Sequence, residues 1–133
     1  MSGYSGTPLV TKLGIKDAHT VLLDGLPEGV DLGDLGAAHV VRRLPSGASL
    51  DVTLTFHLER SRFERRLPML IGRTVGNGMI WVCWPKRASK VPTDLTEDVV
   101  REVALADGVV DVKVAAIDEV WSGLKLVRRL ADR

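Results

Sequence analysis

Two short apolar segments without polar alternation constrain the fold of this chain most strongly. Residues 19–24 end at Gly25, and residues 79–84 end at Pro85. A strand with one face in water would alternate apolar and polar residues, so both segments are predicted to be strands buried on both faces. Residues 38–43 repeat the pattern. Strands of this kind are typical of parallel sheets, so the sequence predicts an α/β fold.

Amphipathic helices follow the later strands. Residues 50–56 alternate and are rich in β-formers, which predicts a third strand. Apolar residues at helical spacing over residues 59–75 predict a helix, in which Pro68 is expected to cause a kink or a division into two helices. Residues 94–107 predict a second helix with Asp94 as its N-cap. Helices between strands favour parallel pairing through right-handed crossovers.

The end of the sequence predicts an antiparallel hairpin. Residues 110–114 and 124–126 both alternate, and Trp121-Ser122-Gly123 is predicted to form the turn region between them. Gly76-Asn77-Gly78 is predicted to be a turn before the strand at residues 79–84. The expected architecture is a mostly parallel sheet of about six strands that the hairpin closes.

Composition excludes several classes of protein. The chain has 133 residues, of which 45% are hydrophobic and 26% charged, with a formal net charge of +1. We therefore expect one domain over residues 1–133, with neither nucleic acid nor a membrane as its partner. Cys83 is the single cysteine, so an intrachain disulfide and a multi-cysteine zinc site are excluded. No signal peptide or membrane-length apolar run is present, which favours a cytoplasmic location.

The carboxyl ends of the parallel strands are the expected functional edge. Ligands of open α/β sheets bind outside these ends. The segments that follow the strands, together with the hairpin tip, carry cations, a histidine, glycines and a tryptophan. The predicted ligand-binding residues are Gly25, Gly29, Arg42, Arg43, His57, Lys86, Lys90, Trp121 and Ser122.

Each group in this set has an expected role. Backbone N–H groups from Gly25 to Gly29 would approach an anion at the N-terminus of a short helix after the first strand. The positive charges of Arg42, Arg43, Lys86 and Lys90 would neutralise the anion. Trp121, placed on a turn, would cover the apolar part of the ligand or form a protein interface. His57 is either a general base or a polar residue at a strand end.

The order of elements from residue 50 onward resembles the second half of class I S-adenosylmethionine methyltransferases. The resemblance implies a glycine-rich turn after the first strand that approaches the methionine part of the cofactor, and an acid ending the second strand that binds the ribose. Here the turn is Gly25-Leu26-Pro27-Glu28-Gly29, and the second strand ends in Arg42-Arg43. A proline has no N–H, and guanidinium groups cannot accept hydrogen bonds from ribose hydroxyls.

A second resemblance covers nearly the whole chain. Five motifs are similar to a small bacterial family known as a domain of unknown function, which implies a fold but no reaction. These motifs are Tyr4-Ser5-Gly6-Thr7-Pro8-Leu9, Lys12-Leu13-Gly14-Ile15, Trp81-Val82-Cys83-Trp84-Pro85-Lys86, Leu95-Thr96-Glu97-Asp98 and Trp121-Ser122-Gly123-Leu124-Lys125.

The sequence thus predicts a three-layer, truncated Rossmann-like domain that binds an anionic or nucleotide-like small molecule without independent catalysis. One alternative is a methyltransferase with degenerate cofactor motifs. Another is a protein-interaction or self-associating module in which Trp121 and the hairpin form the interface. The sequence indicates no reaction and assigns no cofactor or metal.

Overall fold

A computed structural model describes residues 7–133, which contribute to one sheet packed on both faces. The Tyr4-Ser5-Gly6 part of the first family motif lies outside the described residues, and the single-domain organisation of the whole chain stays a prediction. The strands are β1 (Thr20–Asp24), β2 (His39–Val41), β3 (Leu50–Phe56), β4 (Thr74–Pro85), β5 (Val109–Ala116) and β6 (Trp121–Arg128). The α-helices are α1 (Leu9–Lys12), α2 (Arg60–Gly72) and α3 (Glu97–Ala106), and two short 3₁₀ helices span Arg87–Ser89 and Leu130–Asp132.

The sheet has the strand order β2-β1-β3-β4-β6-β5. β1 pairs in parallel with β2 and with β3, and β3 pairs in parallel with β4. β6 pairs antiparallel with both β4 and β5. The predicted mostly parallel sheet with a C-terminal antiparallel hairpin is therefore confirmed. The strand order reverses between β1 and β3, so the topological switch point of the sheet lies at the carboxyl ends of these two strands.

Two apolar clusters cover the two faces of the sheet. One contains residues of α2 and α3 together with Trp84, and the other contains Trp81 and residues of the N-terminal segment. Residues three apart on a strand point to opposite faces, and Trp81 and Trp84 accordingly lie in different clusters. Trp81 also donates a hydrogen bond from its indole Nε1 to the carbonyl of Leu13, at 3.0 Å. This bond satisfies the polar atom of a fully buried ring.

The segment between β1 and β2 contains no helix, although the sequence predicted one or two helical turns there. Gly25, Gly29, Gly33 and Gly36 all have φ between +70° and +90°. The Asp31 carboxylate accepts a hydrogen bond from the N–H of Gly33, and Asp34 does the same for Gly36. These local bonds and left-handed residues favour successive turns over a helix. The predicted short helix after β1 is therefore wrong, and no helix N-terminus is present there to supply N–H groups to an anion.

Gly76-Asn77-Gly78 lies inside β4 and is not the predicted turn. The pairing of β3 with β4 shifts register at this point, between Leu50 and Val52. A Cβ atom at Gly78 would lie 3.0 Å from the carbonyl oxygen of Leu50 and 2.5 Å from a methyl carbon of Thr74. Glycine is present because two backbones approach closely at an irregularity in the sheet.

Trp121-Ser122-Gly123 is likewise part of a strand, β6, and the hairpin turn comes before it. Gly123 pairs with Cys83 on β4. A Cβ atom at Gly123 would lie 3.2 Å from the Trp81 ring and 3.1 Å from Ile117. The predicted turn is wrong because this glycine makes room for a large ring on the neighbouring strand.

The helix boundaries also differ from the prediction. α2 is one helix that includes Pro68 and not two abutting helices. Asp94 does not cap α3; its Oδ1 atom accepts a 2.7 Å hydrogen bond from the N–H of Arg60 at the start of α2. Thr96 is the N-cap of α3 and accepts from the N–H of Val99. Asp94 therefore ties the segment before α3 to α2.

We expect Gly78→Ala to lower the free energy of unfolding by about 1–3 kcal/mol, because the added Cβ would push β4 away from β3. Gly72→Ala is the matched control: Gly72 ends α2, and a Cβ there meets nothing within 4 Å. Urea unfolding measures both variants. Equal stability of the two would contradict the close approach described for Gly78.

Candidate functional site

A carboxylate and a guanidinium meet at the topological switch point. Asp24, the last residue of β1, is level with Thr55 on β3 in the strand register. Arg66 on α2 donates two hydrogen bonds to Asp24, from Nη2 to Oδ1 at 2.7 Å and from Nε to Oδ2 at 3.0 Å. Both side chains are partly buried. A bidentate pair of this kind fixes the direction of both groups.

Thr55 and His57 extend this pair into a polar relay, which consists of Arg66, Asp24, Thr55 and His57. The hydroxyl of Thr55 donates to Asp24 Oδ2 at 2.7 Å and lies 2.7 Å from Nε2 of His57. An ionised carboxylate has no proton to donate, so the single proton of the hydroxyl goes to Asp24. The hydroxyl oxygen must then accept from His57, which places the proton of the neutral imidazole on Nε2.

The pKa values of Asp24 and His57, two members of the relay, are both shifted from their ordinary values. Burial raises the pKa of Asp24, but hydrogen bonds from Arg66 and Thr55 and the charge of Arg66 outweigh burial and leave it below its ordinary value. Burial lowers the pKa of His57 to about 4. The negative charge of Asp24 acts to raise this pKa, whereas the positive charges of Arg62 and Arg66 act to lower it. At neutral pH Asp24 is therefore ionised and His57 is neutral.

One nitrogen of His57 has no hydrogen-bond partner within the described part of the chain. The residue is 4% exposed, and its Nδ1 atom is buried and unpaired. The ring packs against Phe63 of α2, with 5.4 Å between ring centroids. Most buried polar side-chain atoms in proteins are hydrogen-bonded, so this atom is an exception that requires an explanation.

A cleft of about 600 Å³ opens beside the relay, between the carboxyl ends of β1 and β3 and the first turns of α2. We call it the switch-point cleft. Of its three arginines, Arg66 is paired with Asp24, whereas Arg62 and Arg65 form no ion pair with any residue from 7 to 133. The lining residues are Asp24, Gly25, Phe56, His57, Glu59, Ser61, Arg62, Arg65, Arg66 and Met69.

The structure divides the predicted ligand-binding residues among separate clefts. Gly25 and His57 line the switch-point cleft. Lys86 and Lys90 line a second cleft of about 450 Å³, between the end of β4 and the start of α3. Arg42 and Arg43 line a third, of about 670 Å³, beside the edge strand β2. Gly29, Trp121 and Ser122 line none of these three clefts.

Trp121 is not on a turn, as the sequence predicted, but is the first residue of β6. Its side chain packs edge-on against Phe56 at 5.3 Å, and the residue is 9% exposed. Little of the ring is left to stack on a ligand. The self-association alternative relied on Trp121 as an interface residue, and its burial removes that support.

Sequence reasoning missed five residues at the switch point: Asp24, Thr55, Arg62, Arg65 and Arg66. The arginines of α2 carry no sequence signal of their own, because basic residues on an amphipathic helix usually form a solvated face. A usable signal was nevertheless present. α2 begins three residues after His57, so its first two turns must lie over the carboxyl edge of the sheet.

The described residues give less support to metal binding, to thiol chemistry and to a membrane-spanning helix. Within residues 7–133 no group of three or more histidine, cysteine or acidic side chains is placed to hold a metal ion. Cys83 is fully buried, and burial raises the pKa of its thiol, which are the surroundings of an unreactive core cysteine. No helix in this part of the chain is long and apolar enough to cross a membrane.

Comparisons with known proteins place the fold among class I S-adenosylmethionine methyltransferases. A 1,6-didemethyltoxoflavin-N1-methyltransferase from Burkholderia thailandensis, solved with S-adenosylhomocysteine, is 13% identical with a TM-score of 0.64, over 91% of this chain and 76% of that one. A SAM-dependent methyltransferase from Aquifex aeolicus is 14% identical with a TM-score of 0.62, over 89% and 86%. Magnesium protoporphyrin IX methyltransferase from Synechocystis, solved with SAM, is 10% identical with a TM-score of 0.63, over 91% and 74%.

These similarities confirm the predicted Rossmann-like fold of the methyltransferase type. At such low sequence identity they establish the fold alone. No protein-family model matches the sequence, and comparison with curated proteins gave no match. The resemblance to the small bacterial family stays a prediction.

The depressed pKa of His57 makes the stability sensitive to acid. The unfolded imidazole takes up a proton near pH 6.5, whereas the folded one does so only near pH 4. The unfolded state therefore binds more protons in this window, and the free energy of unfolding should fall by about 3 kcal/mol from pH 6.5 to pH 4. Denaturant unfolding at several pH values measures this. His57→Gln should flatten the profile, whereas His39→Gln, at an exposed position on β2, should keep it. A profile in His57→Gln as steep as that of the wild type would contradict the assignment.

Proposed function

We propose that this protein binds an anionic or nucleotide-like small molecule in the switch-point cleft, without catalysing a reaction by itself. The observation that carries the proposal is the pair of arginines, Arg62 and Arg65, that line the cleft without an ion-pair partner among residues 7–133. The charge of Arg62 also reaches His57, whose pKa it lowers. Guanidinium groups favour planar, doubly hydrogen-bonded contacts with phosphate and carboxylate.

The charge balance of the cleft favours an anion. Its lining contains Arg62, Arg65 and Arg66 against Asp24 and Glu59, three cations minus two anions, which leaves an excess of +1. The whole chain also carries +1, so the excess at this one cleft is local and not part of a general basic surface. A concave site concentrates such a field more than a convex surface does.

The position of the cleft supports the same conclusion. In open α/β sheets the crevice where the strand order reverses is formed by loops that diverge to opposite sides, which leaves space for a ligand. Here the chain leaves β1 toward the Trp81 face and leaves β3 toward α2. The clefts with Lys86 and Arg42 lie outside this crevice.

The proposal is tested by thermal unfolding with inorganic phosphate, ribose 5-phosphate, AMP and ATP. A ligand at about 100 times its dissociation constant should add about 2.7 kcal/mol and raise the midpoint by several degrees. The double variant Arg62→Ala/Arg65→Ala should lose this shift, whereas Arg42→Ala/Arg43→Ala should keep it. The reverse pattern would move the site to the β2 edge, and no shift with any compound would contradict the proposal.

A methyltransferase is the second candidate, supported by a fold shared with enzymes solved with SAM or S-adenosylhomocysteine. The residues present do not fit the adenosyl group. β2 leads into Arg42 and Arg43 where an acceptor for the ribose hydroxyls is required. The segment after β1 has no helix and directs Leu26 and Leu32 into the apolar cluster on the Trp81 face.

Calorimetric titration with S-adenosylhomocysteine separates the two candidates. We expect no saturable heat, because the ribose would meet two cations and no acid. A Kd in the micromolar range that Arg42→Asp tightens would instead establish adenosyl recognition and reverse the order of the candidates. The Arg65→Asp variant controls for a general effect of added negative charge.

A further inference from the structure

The cleft of about 450 Å³ between the end of β4 and the start of α3 carries positive charge that the proposed function does not use. We call it the β4-end cleft. Its cations are Lys86, Arg87 and Lys90, and no ion pair in the described part of the chain includes any of them. The one acid that lines the cleft, Glu97, is already paired with Arg101 on the same helix. The cleft is therefore concave and positively charged.

Lys90 has a backbone conformation that its residue type disfavours. Its φ is +62°, and every other residue with positive φ in the described part of the chain is a glycine. A Cβ atom destabilises this left-handed conformation, which glycine adopts freely. Strained residues of this kind are often found at functional sites. What Lys90 adds, compared with the glycine that the backbone favours, is a positive charge at the cleft.

Hydrogen bonds hold the loop that carries the three cations. The hydroxyl of Ser89 donates to the carbonyl of Lys86 at 2.7 Å and accepts from the N–H of Val91 at 3.2 Å. The N–H of Lys86 donates to the carbonyl of Val120, in the hairpin, at 2.8 Å. A loop that is already ordered loses less conformational entropy when it binds a ligand. The backbone that carries the cations is thus fixed without a ligand.

The same cleft has an apolar side. Val91 is 36% exposed, and its neighbour Pro92 is exposed as well. Both line the cleft together with Trp84, Pro85 and Leu95, which are buried. An inorganic anion would leave this apolar surface in water, whereas an anion with an apolar body would cover it.

We propose that the β4-end cleft is a second ligand site, which binds a small organic anion with an apolar body, such as a phosphate ester of an alkyl or aromatic alcohol. The doubly charged phosphate would contact Lys86, Arg87 and Lys90. The apolar group would lie on Val91 and Pro92. The volume of the cleft is that of a small-molecule site, for which about 300–1,000 Å³ is typical. The proposal is independent of the proposed function, because none of these residues lines the switch-point cleft.

Three compounds separate the charge of the ligand from its apolar body: inorganic phosphate, n-hexyl phosphate and 1-hexanol. Calorimetric titrations at pH 8 use the Arg62→Ala/Arg65→Ala protein, so that binding in the switch-point cleft does not contribute. We expect n-hexyl phosphate to bind about tenfold more tightly than inorganic phosphate, the effect of burying roughly two methylene groups, and 1-hexanol not to bind. If n-hexyl phosphate does not bind, the proposal is wrong. Equal affinities for the two phosphates would overturn the assigned class of ligand.

Substitutions at position 90 separate the charge from the backbone strain. Lys90→Arg keeps both and should keep the affinity for n-hexyl phosphate. Lys90→Ala keeps the strain without the charge, and Lys90→Gly removes both, so each should bind about threefold to fivefold more weakly. Only Lys90→Gly should raise the unfolding midpoint, by about 2–4 °C. A Lys90→Gly protein that binds n-hexyl phosphate as tightly as its parent would contradict the proposal.

Backbone amide NMR of the wild-type protein locates the site without a substitution. We expect n-hexyl phosphate to shift the amide resonances of residues 86–91 and of the first turn of α3. Shifts confined to residues 24–25 and 57–66, which belong to the switch-point cleft and its surroundings, would show that the protein has no second site at the end of β4.

Discussion

The parallel pairing of β1 with β3 is the constraint on which the rest of the site depends. It brings Asp24 level with Thr55 at the carboxyl edge. A carboxylate that is partly buried at this edge is costly unless a cation pairs with it. Arg66 provides the cation and holds α2 over the sheet end. Because residues three and four apart share a helix face, Arg62, Arg65 and Met69 then line the same cleft, while Phe63, Leu67 and Leu70 face the core.

The loss of a helix after β1 changes how this fold can hold an anion. In many Rossmann-like proteins a helix N-terminus at this place supplies N–H groups and the positive end of a dipole. Here residues 25–38 form turns whose apolar residues cover the Trp81 face of the sheet. These turns cover the sheet face as a helix would, but they provide no helix dipole at the carboxyl edge. Negative charge at the switch point must therefore be balanced by side chains, and those of α2 are the ones placed to do so.

Periodicity along the chain was sufficient to predict the fold. The helical spacing of α2 and the unbroken apolar segment of β4 depend on local sequence alone, and both predicted elements are confirmed. Gly78 and Gly123 were misinterpreted as turn residues because glycine serves two purposes. It permits turns, and it also permits close approach of neighbouring strands. The second purpose depends on Leu50 and Trp81, which the local sequence around each glycine does not reveal.

The site was harder to predict because its central contact joins residues 42 positions apart. The rule that ligands bind at the carboxyl ends of strands selected Gly25 and His57, which line the switch-point cleft. The rule could not show that Lys86 and Arg42 line other clefts, because it selects an edge of the sheet and not a position along that edge. A strand-terminal acid such as Asp24 narrows the position, since it requires a cation close by. The helix that follows the adjacent strand in the chain is the nearest element that can provide this cation. The first two turns of that helix, and not the basic loops farther along the edge, are where the residues that bind a ligand at the switch point should be sought.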